Sequence, residues 1–310
     1  MAIAGFQSSF LVSSQPSVAF TNEATATSDL ITFTISNAVK RYFDKLVATV
    51  VQKGNDELQT VTITGAPTGG TFTLTFGGNT TSALNWNATA AQVQTALQAL
   101  ASIGAGNALV TGGPGPATPF VVQFTAAKGL TNQALITLTT NSLTGGTTPS
   151  VSIVETQAGG AFATITTGFT LFRCNARVVF AVAQPTGTQV RFASGNYFPY
   201  TTLGEAETCE FAGKIDMLPA DTFQGPGGTG SKIFVPGLLT GTMKTGTWWL
   251  NHTRLNSVLA RDLIIVSFVT ATNNRYEGYC YASDCNIKAD PKALVGQELQ
   301  FQLTDEFFNA

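Results

Sequence analysis

A mainly β protein is predicted: a β-sandwich or barrel with one short flanking helix, into which a small, β-rich α+β module is inserted. Two observations predict it. Apolar residues alternate with Thr, Gln and Ser over many short runs bounded by Gly, Pro and Asn, the period of half-buried strands. Charge is scarce, 11% of residues against 44% hydrophobic, where soluble domains carry about 25% charged residues. It is also uneven, since between 56 and 160 only Asp56, Glu57, Lys128 and Glu155 are charged. A step that sharp marks a separate domain.

Residues 1–17 are polar, Ser-rich and aperiodic, and are expected to form an arm, or a strand whose partner comes from elsewhere. Ile31–Ile35 alternates strictly and reads as a strand, Asn37–Asp44 as a polar, charged connection, and Leu46–Gln52 as another strand. Within 56–160, strands are expected around Val61 and Ile63; Phe72, Leu74 and Phe76; Phe120, Val122 and Phe124; Ile136 and Leu138; and Val151 and Ile153. Thr89 and Gln92 have capping-box spacing, Val93, Leu97 and Leu100 follow at helical spacing, and Gly104 ends the helix. Gly112–Pro116 is a loop, because no Lys-Ser/Thr follows it and it opens no helix, as a phosphate cradle requires.

Phe162–Phe172 and Val178–Val182 read as a hairpin turning near Asn175, followed by a strand at Gln189–Phe192. The strand ending near Gln52 and the one starting near Phe162 are expected to be neighbours, which makes the module an expanded hairpin tip. In Glu207–Met217, Cys209, Phe211, Ile215 and Met217 share one face and Thr208, Glu210, Lys214 and Asp216 the other. A Gly-rich loop spans 222–231. Residues 242–250 read as a strand, and Asn251, Leu255, Val258 and Leu259 as a short capped helix. Leu263–Val269 is apolar at odd and even positions alike, so both of its faces need cover, from a second sheet or a neighbouring subunit. Asn273-Asn274 turns the chain into Arg275–Tyr281. In the closing strand Leu299, Phe301 and Leu303 point inward, while Glu298, Gln300, Gln302 and Thr304 face water.

Several function classes drop out. A net charge of −2 and a pI of about 5.4 leave no basic footprint for stable nucleic-acid binding. The first 16 residues have neither a positive leader region nor an apolar run long enough to span a bilayer, so neither export nor membrane insertion is expected. Cys174, Cys209, Cys280 and Cys285 lack zinc spacing and read as reduced thiols. A single histidine, His252, excludes most triads and histidine-based metal sites, and it reads as a surface residue. The pairs Asp216/Asp221 and Glu205/Glu207 read as solvated acids. No catalytic, metal or cofactor site is expected. Trp248 and Trp249, adjacent and opposite-facing, read as one core and one interface aromatic in preference to a sugar platform.

Taken together, Val18–Ala24, Ile35–Asp44 and Val190–Phe192 leading to Tyr197-Phe198-Pro199 resemble the N-terminal half of tail tube proteins of long-tailed, siphovirus-type bacteriophages. Gly246–Leu250 with its helix, Ile264-Val266-Phe268 and Arg275–Tyr279 resemble the tube fold proper. Residues 56–160, with Thr64–Gly70 and Thr111–Pro116, are similar to a Gly/Thr-rich β module inserted in phage virion proteins. The resemblance implies a discontinuous core of residues 1–55 and 161–310, with an arm at 1–17, the tube fold at 201–310 and the module at 56–160. It implies rings, hexameric in expectation, stacked into a tube through which DNA passes without specific binding. Partners would be further copies, a tape measure, a terminator and a baseplate hub, in a virion tail assembled in the host cytoplasm.

One of two polar strand faces is expected to line the bore: Glu298, Gln300, Gln302 and Thr304, or Thr208, Glu210, Lys214 and Asp216. Trp248, Trp249, Ile264, Val266 and Phe268 are the expected interface residues. The module is expected to decorate the exterior and touch host glycans weakly, and the arm and the 222–231 loop to order between stacked rings. The competing reading is a head or tail decoration or adhesin protein whose β-sandwich domains bind host surface glycans.

Overall fold

The structure, a computed structural model, describes residues 9–13, 16–173, 175–220, 233–248, 262–269, 275–288 and 296–309. The predicted helix at 251–259 with His252, Trp249, the Asn273-Asn274 turn, Asp221, the 222–231 loop and residues 1–8 lie outside them. The fold is mainly β, with one α-helix among the described residues.

The first strands are β1 (Ser9–Ser13), β2 (Val18–Ala26), β3 (Thr32–Ile35) and β4 (Val50–Asn55). Leu46, expected in a strand, is 72% exposed and precedes β4 in a turn. The chain from 56 to 159 builds β5 (Leu58–Thr64), β6 (Gly69–Phe76), β7 (Asn79–Thr80), β8 (Leu84–Asn85), α1 (Ala90–Gln98), β9 (Ala108–Gly112), β10 (Phe120–Phe124), β11 (Thr137–Thr144) and β12 (Ser150–Gln157). These form two sheets, ordered β12-β5-β10-β9 and β11-β6-β7 with β8 on β6. Their facing sides and α1 enclose a core of their own, in which Val61, Phe72, Leu74, Val93, Leu97 and Phe120 are all fully buried. Helix α1 starts as its sequence dictates: the Thr89 hydroxyl accepts from Gln92 N, and the Gln92 side chain accepts from Thr89 N. It ends before Gly104, and Ala99 caps it.

Next come β13 (Gly160–Ile165), β14 (Phe169–Phe172), β15 (Arg177–Phe180) and β16 (Thr188–Tyr197). With β2, β3 and β4 they make a seven-stranded sheet ordered β13-β4-β16-β2-β3-β15-β14. Strand β4 pairs with β13, setting Gln52 opposite Thr164. The expected hairpin from Phe162 divides. Only β14 turns back onto β15, with Phe172 opposite Arg177, and Val182 is 69% exposed beyond it. The two edge strands β13 and β14 are joined by residues 166–168 alone, a link that spans at most about 15 Å, so the sheet curls back on itself. Inside the curl Phe43 stacks on Phe20 at 4.8 Å between centroids and meets Phe192 edge-on at 4.7 Å. Phe43 is fully buried and Tyr42 is 1% exposed, so the connection expected to be polar carries two buried aromatics.

The last strands are β17 (Tyr200–Ala220), β18 (Ile233–Trp248), β19 (Leu263–Val269), β20 (Arg275–Lys288) and β21 (Gly296–Asn309). They form a closed barrel in the order β1-β17-β18-β21-β20-β19. Strand β1 closes it, pairing Leu11 with Thr202 on one side and Val12 with Val266 on the other. Part of the stretch expected to order between rings therefore pairs within its own chain.

Candidate functional site

The barrel wall is built from register. Glu210 lies opposite Lys244, Lys244 opposite Gln300, and Gln300 opposite Asp284. One rung along, Thr208 faces Gly246, Gly246 faces Glu298, and Glu298 faces Asn286. Directly opposed residues share a sheet face. The two polar strand faces expected as alternatives are therefore one continuous face across β17, β18 and β21. Gln302 extends it through Thr242, and Lys214 through Thr240. Asp216 and Thr304 fall at register irregularities and stand outside the rungs.

The two sides of this wall differ. Phe301 is 1% exposed and in register with Met243 and, through it, Phe211, while its neighbours Gln300 and Gln302 are half-buried. Cys280, opposite Ile264 on one side and Leu303 on the other, is buried, and its thiol donates to the Gly278 carbonyl. At β21 the buried side of the wall is that of Phe301, and Gln300 and Gln302 stand on its more exposed side. The side chains of Cys174, Cys209 and Cys285 lie outside the described ones.

On β19 and β20 the outer face changes character. Leu263, Ile264 and Ile265 are each at most 2% exposed, so this strand is covered on both sides as its sequence requires. Ile264 is buried toward the barrel interior. Its side chain, one of the expected interface residues, is 1% exposed within the chain. Leu263, Ile265 and Tyr279 face outward, against Tyr42 and Phe198 of the curled sheet. The Tyr279 hydroxyl donates to the Phe43 carbonyl, and Lys45 Nζ lies 5.2 Å from the Tyr279 ring centroid. Val266 and Phe268 are in register with Val12 and Phe10 of β1. Trp248 ends β18, opposite Gly296. Of the two expected sources of cover, a second sheet or a neighbouring subunit, it is this chain's own curled sheet that packs on Leu263 and Ile265.

A second junction carries residues that sequence reasoning missed. Asp56 is 2% exposed and Glu57 fully buried at the turn from β4 into β5. Asp56 Oδ1 accepts from Leu130 N at 3.0 Å and Gln189 Nε2 at 2.9 Å, and its Oδ2 accepts from Gln123 Nε2 at 2.9 Å. Its backbone N–H donates to Gly187, and Gln157 Nε2 bridges its carbonyl to that of Thr186. Glu57 accepts from Gln59 Nε2 and from Gln133 N. One buried acid thus binds the curled sheet to both sides of the β5–β12 unit. Close backbone approach completes the junction: a Cβ on Gly54 would come within 2.7 Å of Leu130, and one on Gly159 within 2.0 Å of the Thr131 carbonyl. Two adjacent acids in an otherwise uncharged stretch were the available signal.

Charge is partitioned as well. Residues 16–55 and 161–199 hold seven Lys/Arg against three Asp/Glu, whereas 200–310 hold eight against twelve. Among the described residues no three His, Cys, Asp or Glu gather as a metal site would need, and no helix is long and apolar enough to cross a membrane.

No family model matches this chain. Over 101 residues it is 39% identical to a tail sheath protein of Mycobacterium phage Bxz1, a stretch that is 33% of this chain and 16% of that protein. The chain thus spans about a sixth of the length of that curated relative. It is also similar to a chain from the tail of an empty gene transfer agent particle, refined with C6 symmetry, at a TM-score of 0.30 and 7% identity over 36% of this chain and 87% of that one. A chain from the virion of the native gene transfer agent particle gives a TM-score of 0.31 and 6% identity, over 36% and 88% respectively.

Proposed function

We propose that this chain is a structural protein of a bacteriophage tail, and that its barrel is the wall of a tail tube built from stacked rings. The observation that carries the tail assignment is the 39% identity over 101 residues to a phage tail sheath protein. The tube assignment rests on the barrel. One half of its outer face, on β19 and β20, is covered within the chain. The other half is a polar ladder in which Glu210, Glu298 and Asp284 outnumber Lys214 and Lys244. A conduit for DNA needs such a wall, because each lumenal Lys or Arg would neutralise a phosphate and hold the genome by counterion release. In this reading Glu298, Gln300, Gln302, Thr208 and Glu210 face the bore, and further copies close the ring.

In the same reading, the 101-residue stretch shared with the sheath protein is the 56–160 module, which has matching length and its own core. A unit shared by proteins of different tail layers is a portable decoration. It leaves the curled sheet where Asn55 pairs with Gly160, so removing it leaves a short hairpin.

Electron microscopy of the purified protein tests the proposal. Tubes or discrete rings are expected, and the chain with 56–159 replaced by a two-residue turn still forms them. Single particles at high concentration overturn the tube assignment, and loss of rings on deletion overturns the decorative role of the module.

A further inference from the structure

The outer face of the curled sheet holds a preorganised guanidinium. Arg191 in β16 lies opposite Gln52 in β4 and Ala24 in β2. Its Nε donates to Gln52 Oε1 at 2.8 Å, and its guanidinium carbon sits 4.1 Å from the centroid of the Phe162 ring. Gln52 is itself held, its amide donating to Thr164 Oγ1 at 3.4 Å. Stacking and the Nε bond fix the plane of the guanidinium. Among the described residues no carboxylate pairs with it, and no hydrogen bond falls on its two terminal nitrogens.

Arg191 lines a cavity of about 370 Å³, within the range of small-ligand sites. Ala24, the small residue opposite Arg191, leaves the space open. Asn22 and Gln189 bring side-chain amides to its lining, and Phe162 brings an aromatic ring. Asn22 is held at a left-handed φ of 52° in β2, a conformation Asn tolerates better than most residues. Gln189 is oriented from behind by its bond to Asp56.

We propose that this cavity binds a sugar acid: a monosaccharide-sized, polyhydroxylated ligand whose carboxylate docks on the terminal nitrogens of Arg191. A planar fork with two open N–H edges matches a carboxylate bidentately. The Asn22 and Gln189 amides suit ring hydroxyls, and the aromatic ring of Phe162 suits the apolar face of a sugar. The site lies on the curled sheet, separate from the module and from the polar barrel face, and does not depend on the tube assignment.

Saturation-transfer difference NMR on the full chain, which works for free subunits and large assemblies alike, tests it with D-glucuronate, D-glucose and acetate as probes. Glucuronate is expected to give saturable transfer. Glucose and acetate are each expected to bind at least about tenfold more weakly, since each lacks half of the hydrogen-bonding set. Arg191→Lys keeps the charge but loses the fork and is expected to weaken glucuronate about tenfold or more. Ala24→Met leaves Arg191 intact, fills the hollow from an exposed position and is expected to abolish transfer. Equal binding of acetate overturns the sugar component, because the site would then read only a carboxylate, such as an acidic side chain of another copy. Absence of glucuronate transfer, or transfer unchanged in both variants, overturns the proposal.

Discussion

The curled sheet is tied to its two neighbours by opposite means. Toward the barrel the junction is apolar: Tyr42 and Phe198 against Leu263, Ile265 and Tyr279. Toward the 56–159 unit it is polar, with Asp56 receiving hydrogen bonds from Gln123, Gln189 and Leu130. Apolar contact is roughly proportional to area and tolerant of angle, whereas a buried carboxylate demands each donor in place. The first junction supplies strength and the second supplies orientation.

The largest effect should fall on the apolar side. Tyr279→Ala removes a 1% exposed aromatic and should cost about 3–5 kcal/mol in denaturant unfolding of the curled sheet and barrel. An unchanged midpoint would mean that the two are not energetically joined. Asp56→Ala leaves two side-chain amides and one backbone N–H without their acceptor, and should cost about 1–3 kcal/mol. Hydrogen exchange should rise at Leu130 and Gln189 and not in the barrel. If it rises throughout, the polar junction carries strength as well. Tyr279→Phe deletes the bond to the Phe43 carbonyl and should cost about 1 kcal/mol, separating packing from polarity at one position. Thr89→Ala, inside the module, removes the helix cap and should cost about 1 kcal/mol, read in the module's own unfolding transition. The smallest effect belongs to Asp29. Backbone N–H groups of Thr32 and Ile31 hold its carboxyl below the usual carboxylate range. Its contribution is therefore complete above that range and is lost as pH falls through the lowered value. Asp29→Asn should flatten the acid limb of stability and lower the neutral-pH plateau slightly, since the contribution of the ionised carboxyl is missing there.

Legibility followed the same division. The apolar demand of Leu263–Val269 was visible because three consecutive large residues cannot all face one side of a strand. The module core was visible because Phe72, Leu74 and Phe76 alternate cleanly and Thr89 with Gln92 marks a helix start. Tyr42 and Phe43 were hidden among Lys40, Arg41, Asp44 and Lys45, whose charges mask a buried aromatic pair. That Glu210 and Gln300 share a face was hidden for another reason: pairing between strands some ninety residues apart is fixed by the ladder, and no single strand encodes it. Asp56 gave only a weak signal, since a buried acid and a solvated one are the same letter.

Strand β1 has a temporal consequence. Both of its partners, near Thr202 and Val266, are made roughly two hundred residues or more after it. The barrel therefore stays unsealed until β19 has been made, while the module, whose contacts are local, folds ahead of it. Sealing then acts as a checkpoint, because only a chain extended past β19 can present a complete wall to its neighbours.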